Sequence, residues 1–314
     1  MPRNYFSAGV IGEIARRIQV ALTQAGFDTK GTDGWFGNNT AIALGNFQQS
    51  KQLSATGMVD ESTWQQLMAQ PLPSVADRSL ELTAAFEGHG FGLAVGNFDG
   101  ALLTWGIIGF TMGSGEVQHI INAVQQQNPQ LVNQAFQNST QELLDLVNES
   151  ADLQTNWANA HTLPNGGLVQ PWRQMFATFG SFPQVQAEQM KHVVADYLNP
   201  AIATARKLKL TSELGLALCF DIHVQNGGIK LASMAQIQQN TTSATTETDL
   251  LAIVANTVAD SARPDYREDV RQRKLTIAQG QGNVHGHNYV LDNWGLNGTF
   301  SAAELMSASA ATNP

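Results

Sequence analysis

The sequence has one cysteine, Cys219, and no run of apolar residues long enough to cross a membrane. A single thiol has no partner for an intramolecular disulfide, and its apolar neighbourhood, LALCFD, predicts a buried thiol. A transmembrane helix needs about 20 consecutive apolar residues, so we expect no membrane span. The N-terminal sequence carries charges within its apolar part and has no small-residue cleavage site, which predicts that no signal peptide is present.

Basic residues are scarce. The chain has 17 Lys and Arg against 26 Asp and Glu, which gives a net charge of −9. Residues 1–75 carry five of each sign, so the acidic excess lies in the remainder. Non-specific nucleic-acid binding depends on a basic face, and we therefore expect no nucleic-acid partner. A polysaccharide, which is recognised by hydrogen bonds and aromatic stacking, stays compatible with this charge.

Metal and cofactor motifs are missing as well. The sequence has no HExxH or CxxC spacing, and no GxSxG phrase that would indicate a serine nucleophile. The glycine-rich phrase at residues 88–92 follows a predicted helix, whereas a dinucleotide-binding loop follows a strand. The prediction is that the protein has no metal and no cofactor.

Apolar residues at helical spacing predict a mainly α fold. Residues 11–69 are expected to form three short helices, and the proline-rich stretch QPLPSV predicts a stiff linker. The predicted domains are 1–70, a linker over 71–77, and a larger helical domain over 78–314 with one small β-hairpin region at 88–104. Helical segments in the larger domain are predicted near residues 78–87, 115–127, 139–149, 168–178, 182–208, 211–225, 229–238, 244–260 and 264–279.

The charges of residues 263–274 alternate in sign at helical spacing, which predicts a solvated helix face. The alternative is that Arg271 or Arg273 contacts an anionic sugar.

Residues 86–116, FEGHGFGLAVGNFDGALLTWGIIGFTMGSGE, contain the candidate catalytic groups. Glu87 ends a predicted apolar helix, Asp99 lies in a predicted turn, and Thr104 follows five residues later. Cleavage of a glycosidic bond needs one protonated carboxyl for the leaving oxygen and one carboxylate on the opposite face of the sugar. On these residues alone, two solvated surface acids remain the alternative.

The block FDGALLTWGIIGF resembles the DGRGYTAGIIGF block of the bacterial chitosanase family, and the order Glu, Asp, Thr is similar to that of phage-type lysozymes. The resemblance implies a lysozyme-like domain in which Glu87 is the general acid, Asp99 the base and Thr104 a ligand of the attacking water. The chain departs from the family at Ala101, where the family has arginine, and in a shorter segment between the two acids. The matching residues are Asp99, Gly100, Thr104, Gly106, Ile107, Ile108, Gly109 and Phe110.

A later phrase, LALCFDIHVQNGG, resembles the ALYDAxVQHG phrase of the same family. The candidate substrate-binding residues of the catalytic domain are His89, Asp221, His223, Gln225 and Asn226.

Residues 11–69 resemble the peptidoglycan-binding module of cell-wall hydrolases, through phrases such as DGWFG, FQ and TW. The resemblance implies a ligand that is either the glycan or the stem peptide, and the sequence leaves this choice open. The aromatic candidates are equally expected as core residues. The candidate ligand residues of the module are Asp33, Trp35, Phe36, Phe47 and Trp64.

Together these features predict a monomeric, modular cell-wall hydrolase of the muramidase type that cuts the glycan strand of peptidoglycan. We expect it to act by inversion, with the Glu87 and Asp99 carboxyls about 6.5–9.5 Å apart. The alternatives are a chitosanase, a lytic transglycosylase, which needs only the glutamate, and a non-catalytic wall-binding component. Without a signal peptide, we expect synthesis in the cytoplasm. The wall would then be reached through a holin-like pore, as for a phage endolysin, or through a secretion system, as for an antibacterial effector.

Overall fold

The computed structural model of the protein describes residues 3–88, 90–242 and 245–300. Within this part the chain divides into two compact units. Unit 1 is discontinuous and contains the residues up to Phe86 and those from Tyr197 onward, whereas unit 2 is the continuous segment Glu87–Asp196. The predicted division at residues 71–77 concerns sequence modules rather than compact units, and it stays a prediction.

Both units are mainly α-helical, which confirms the predicted fold class. The last helix before unit 2 begins at Val75, within the predicted linker. Its first turn is capped because the Ser74 hydroxyl accepts the N–H of Asp77 at 3.2 Å, and the Asp77 carboxylate in return accepts the N–H of Ser74 at 2.8 Å. The first four helices are α1 (Glu13–Gln24), α2 (Asn38–Ser50), α3 (Glu61–Met68) and α4 (Val75–Glu87).

Unit 2 combines a small sheet with a helical cluster. Strands β1 (Ala94–Val95), β2 (Thr104–Trp105) and β3 (Phe110–Thr111) form an antiparallel sheet in that order. The core of unit 2 contains aromatic side chains, among them Trp105, whose ring stacks on that of Phe179 with 5.4 Å between the ring centroids. The helices are α5 (Glu116–Gln127), α6 (Pro129–Phe136), α7 (Thr140–Leu146), α8 (Ala151–Ala160), α9 (Trp172–Gly180) and α10 (Pro183–Val193).

The returning part of unit 1 is built around a helix that is buried on nearly all sides. This helix, α12 (Glu213–Asn226), starts where the Ser212 hydroxyl accepts the N–H of Gly215 at 3.0 Å. It contains Cys219, which is fully buried as predicted, and burial raises the pKa of its thiol to about 12. The helices are α11 (Asn199–Lys207), α12 (Glu213–Asn226), α13 (Leu231–Asn240), α14 (Glu247–Asp260) and α15 (Arg267–Gln279).

A second hairpin follows α15 and was not predicted. Strands β4 (Gln281–Val284) and β5 (His287–Val290) pair in antiparallel register. Both turn residues, His285 and Gly286, have positive φ, at 50° and 84°. Two such residues form the type I′ turn that matches the twist of paired strands.

In the N-terminal module, a glutamine side chain on α1 holds the turn that precedes α2. The Oε1 atom of Gln19 accepts the N–H of Gly34 at 2.9 Å. Its Nε2 atom donates to the carbonyl of Trp35 at 2.9 Å and to the hydroxyl of Thr40 at 3.2 Å. These bonds fix the turn to both helices.

Gln48 of α2 repeats this arrangement one helix later. Its Oε1 atom accepts the N–H of Gly57 at 2.9 Å, and its Nε2 atom donates to the carbonyl of Met58 at 2.8 Å and the hydroxyl of Thr63 at 3.0 Å. The turns that precede α2 and α3 are therefore held by equivalent hydrogen bonds.

No helix among the described residues has the length and apolar character needed to span a membrane.

Candidate active site

Glu87 is the last residue of α4 and is half-buried. The preceding turn of this helix is packed in the interior, with Leu82 and Phe86 buried. Gly88 follows with a positive φ of 65°, which ends the helix. The packed last turn of α4 therefore fixes the backbone from which the Glu87 side chain projects.

Asp99 lies in the exposed bend between β1 and β2. Its Oδ1 atom accepts the N–H of Ala101 at 3.0 Å, as in an Asx-turn. The Oδ2 atom makes no hydrogen bond to any residue that the structure describes. One carboxylate oxygen thus orients the side chain, and the other is available to a ligand or water.

Asn97 pins this bend on both sides. Its Nδ2 atom donates to Asn159 Oδ1 at 2.7 Å, and its backbone N–H donates to Thr162 Oγ1 at 2.7 Å. Its Oδ1 atom accepts the N–H of Leu102 at 3.1 Å. The position of Asp99 is consequently tied to the loop after α8.

Thr104 lies on the central strand of the sheet, opposite Val95 of β1 and Thr111 of β3. It is buried to 9% exposure, and the following side chain, Trp105, is fully buried. Successive side chains of a strand point to opposite faces, so Thr104 faces away from the aromatic core that Trp105 enters.

Gln189 of α10 ties together the two ends of the segment that holds these residues. Its Oε1 atom accepts the N–H of Ile107 at 3.0 Å, and its Nε2 atom donates to the carbonyl of Phe91 at 3.0 Å. A Cβ at Gly106 would lie only 2.7 Å from Gln189 Oε1. Gln189 is not among the candidate residues named from the sequence, because nothing local shows that α10 reaches this segment.

The structure therefore places Glu87, Asp99 and Thr104 in unit 2, on one segment that runs from the end of α4 to the central strand. The predicted separation of the two carboxyls stays a prediction.

Asp221 is fully buried in α12. Its carboxylate pairs with Arg273 Nη2 at 2.6 Å and with Lys274 Nζ, and it accepts the hydroxyl of Thr83 at 3.2 Å. Burial alone would raise the pKa of Asp221, but the two cations lower it to about 2. Gln225 accepts a further hydrogen bond from Lys274 at 2.6 Å. Asp221 therefore joins α12 to α15 and does not face solvent.

The same network corrects the interpretation of residues 263–274 as a solvated face. Arg273 and Lys274 are 1% and 0% exposed. Arg271, by contrast, is paired near the surface with Asp260 and Glu268, at 2.7 and 3.1 Å.

His223 and Asn226, near the end of α12, are half-buried. His223 Nε2 lies 2.9 Å from the hydroxyl of Thr204, and burial lowers the pKa of the imidazole. The Oδ1 atom of Asn226 is buried and has no hydrogen-bond partner among the described residues.

The candidate residues of the N-terminal module separate into exposed and buried groups. Trp35 is 52% exposed, and its ring meets that of His287 edge-on at 6.3 Å. Asp33 is exposed, and hydrogen bonds from Gln19 and from the N–H of Trp35 lower its pKa. Only these two side chains of the five candidates reach the surface, since the others are in the core: Phe36 at 0%, Phe47 at 1% and Trp64 at 0% exposure.

His89 lies outside the described residues. Among the residues that are described, no group of three or more His, Cys, Asp or Glu side chains is placed to hold a metal ion.

Comparison with known proteins identifies the class. The sequence profile of glycosyl hydrolase family 46 matches residues 88–252, just over half of the chain, beginning one residue after Glu87. The chain therefore belongs to glycosyl hydrolase family 46 and is a glycoside hydrolase. A second profile, the putative peptidoglycan binding domain, matches residues 12–67. This confirms the modular organisation of a peptidoglycan-binding module followed by a hydrolase.

Two of the solved structures that match this chain are described in their names as chitosanases. A mutant chitosanase from Bacillus subtilis MY002, complexed with 6 GlcN, is 15% identical with a TM-score of 0.52, and the match covers 70% of this chain and 99% of that one. The Gynuella sunshinyii chitosanase, in complex with chitotetraose, is 18% identical with a TM-score of 0.47, covering 67% and 87%. The match to the Bacillus subtilis chitosanase supports the lysozyme-like helical fold.

Proposed function

We propose that the protein hydrolyses the glycosidic bond of an amino-sugar polymer with inversion at the anomeric carbon. Glu87 gives its proton to the leaving oxygen while Asp99 takes a proton from the attacking water, whose oxygen bonds to the anomeric carbon. Thr104 holds this water. The observation that carries the proposal is the Asp99 bend, which anchors one carboxylate oxygen on Ala101 and leaves Oδ2 for the water.

Chitosan is the substrate that we propose first. Membership of glycosyl hydrolase family 46 and the likeness to chitosanases support it. Charge supports it as well, because residues 87–196 contain nine Asp and Glu but only two Lys and Arg. An excess of negative charge attracts a polymer of glucosamine, which is cationic when its amines are protonated.

The glycan strand of peptidoglycan is the second candidate, and it is the substrate that the sequence favoured. The peptidoglycan-binding module supports it, because a bound module raises the local concentration of the enzyme on an insoluble polymer. In that case the protein acts at the cell wall. Delivery through a holin-like pore or a secretion system stays a prediction.

Parallel digestion of chitosan and purified peptidoglycan tests the proposal, with products identified by mass spectrometry. We expect hydrolysed reducing ends from chitosan, and NMR at early times should show the inverted anomer. Anhydro ends on peptidoglycan fragments would instead indicate a lytic transglycosylase. Binding to walls without any product would favour the non-catalytic alternative.

Glu87→Gln tests the acid directly. A general acid contributes about 10²–10⁴-fold to the rate, so we expect kcat to fall by that factor. The control is Glu149→Gln, at an exposed acid of unit 2 outside the candidate site. A Glu87→Gln variant with undiminished rate would show that another residue is the acid.

A further inference from the structure

The peptidoglycan-binding module contains a cavity of about 260 Å³ between α1 and α3. Two arginines of α1, Arg16 and Arg17, form its charged side. The cavity includes none of the candidate ligand residues of the module, which lie around the turn before α2 or in the core. It is a separate feature of the fold.

The charged side suits a carboxylate. The guanidinium of Arg17 donates from Nη2 to Gln70 Oε1 at 2.9 Å, and it forms no ion pair within the part of the chain that the structure describes. Arg16, in contrast, is already paired with both oxygens of Glu13. Guanidinium groups bind carboxylates through two parallel hydrogen bonds, so Arg17 is the group that would receive an anionic end.

The remaining lining suits a short peptide. Val20, Leu67 and Met68 form an apolar surface, which can pack against methyl-sized side chains. Gln24 and Gln70 line the same cavity, and their amides both donate and accept hydrogen bonds as a peptide backbone requires.

The size of the cavity decides between the two parts of peptidoglycan. Sites for drug-sized ligands have volumes of about 300–1,000 Å³. At about 260 Å³, this cavity lies below that range and has room for the end of a peptide rather than for several sugar rings.

We propose that this cavity binds the carboxylate end of a short peptide with small apolar side chains, which is the chemistry of the peptidoglycan stem peptide. The inference rests on wall binding by the module, and it is independent of which polymer the catalytic domain cuts.

The test uses the full chain and two soluble probes, acetyl-Lys-D-Ala-D-Ala and the same peptide as its C-terminal amide. Titration calorimetry should show that the acid binds at least about ten-fold more tightly than the amide, because charge-assisted hydrogen bonds are lost with the carboxylate. Equal affinities for the two peptides would overturn the proposal.

Two variants locate the site. Arg17→Gln removes the guanidinium, and Ala21→Phe fills the cavity without removing charge; each should lower affinity for the acid peptide by about ten-fold or more. The matched control is Arg206→Gln, at an exposed arginine near the end of α11, which should bind as the unchanged protein does. Peptide affinity that survives both cavity variants would place the site elsewhere.

Intact sacculi and sacculi stripped of peptides by an amidase provide the second readout. The unchanged protein should bind the intact sacculi and lose most binding on the stripped glycan, whereas equal binding would contradict the proposal. Hydrolysis of soluble chitosan oligosaccharides is measured on every variant and should not change. If the unchanged protein shows no hydrolysis, the proposed catalytic function fails, but the peptide titrations still decide this inference.

Discussion

At the scale of the residue, the Asp221 carboxylate neutralises two buried cations. The substitution Asp221→Asn removes the negative charge that pairs with Arg273 and Lys274, and both cations stay in the interior. Breaking a buried pair in this way costs about 3–5 kcal/mol of unfolding free energy. Urea denaturation at pH 7 measures this loss. The control is Asp152→Asn, at an exposed acid, where a change under about 0.5 kcal/mol is expected.

The lowered pKa of Asp221 also makes the stability of the protein depend on pH in the acid range. Its pKa is about 2 in the folded state and about 3.9 in the unfolded chain. The unfolded state therefore binds more protons between these values. The contribution of Asp221 is fully present above about pH 4 and is lost as the pH falls through 2. Stability measured across this range should fall in the unchanged protein and fall less steeply in Asp221→Asn.

Asn97→Ala is predicted to act on catalysis more than on folding. The substitution removes the side-chain hydrogen bonds to Asn159 and Leu102 that pin the bend. Because catalysis depends on position within about an ångström, we expect kcat to fall by about 10²-fold. Steady-state kinetics on chitosan oligosaccharides provide the measurement. Asn148→Ala, at an exposed asparagine of unit 2, is the control, and equal kcat values for the two variants would contradict the prediction.

Single residues also show what a sequence cannot reveal. The helical spacing of charges predicted that Arg273 faces solvent, because nothing local indicates that a buried carboxylate lies 52 positions earlier. Trp35 and Phe36 are adjacent aromatics, yet one is half exposed and the other is in the core. Their difference depends on the direction of the turn that Gln19 holds, which is a tertiary property.

At the scale of the element, α1 depends on a carboxylate from α4. Gly12 precedes α1 and offers no side-chain cap, and the N–H of Ile14 instead donates to Glu81 Oε2 at 3.1 Å. Glu81 is buried, and burial raises its pKa from 4.5 to about 7 despite the attraction of Arg17.

The burial of the Glu81 carboxyl should make stability fall as the pH rises. Between about pH 4.5 and 7 the folded state binds more protons at Glu81 than the unfolded state does, so stability decreases across that range. Glu81→Gln keeps the acceptor for Ile14 but cannot ionise. At pH 8 the variant should be more stable by on the order of 2 kcal/mol, with little difference at pH 4. Thermal denaturation at both pH values provides the check, and a variant less stable at pH 8 would refute it.

The approach of α9 to the segment after α4 needs a residue without a side chain. A Cβ at Gly180 would overlap the carbonyl oxygen and carbon of Phe91, whereas a Cβ at Gly90 would meet nothing within 4 Å. Gly180→Ala should therefore destabilise the protein by about 2 kcal/mol or more, since the backbone itself must move. Gly90→Ala, the matched control, should unfold at nearly the same urea concentration as the unchanged protein.

Helices were predicted well where an apolar face repeats and poorly where it does not. The segments around α5, α10 to α15 and the three helices of the module were identified from their spacing. Helix α8 was missed because only Gln154 and Ala158 are buried along it. Helix α6 was missed because it is only eight residues long and starts at Pro129, directly after the end of α5.

At the scale of the whole molecule, the N-terminal module is packed into unit 1. Asn293 accepts the hydroxyl of Ser7 at 2.9 Å and donates to the carbonyl of Ala8 at 2.9 Å. Removing residues 1–70 would expose these surfaces and leave Glu81 without its partner on Ile14. We expect the shortened chain to melt at least about 5 °C lower, since a loss of a few kcal/mol shifts the midpoint of a domain this size by that amount.

Circular dichroism of the shortened and full chains measures this difference. Adding residues 1–70 back as a separate peptide should recover part of the stability. A shortened chain with the full melting temperature would show that the module folds apart from the rest, as the predicted linker at 71–77 implies.

The discontinuity of unit 1 has a consequence for synthesis on the ribosome. The continuous segment Glu87–Asp196 emerges complete while the second half of unit 1 has not been translated. Domains generally fold as units during translation, so the nascent chain should finish the inserted unit first. Residues 3–86 then lack part of their packing partners, and stay open to proteases, until the residues from Tyr197 onward have been translated. Ribosome-stalled chains ending near residue 230 should accordingly show protease protection in the inserted unit before the N-terminal helices acquire it.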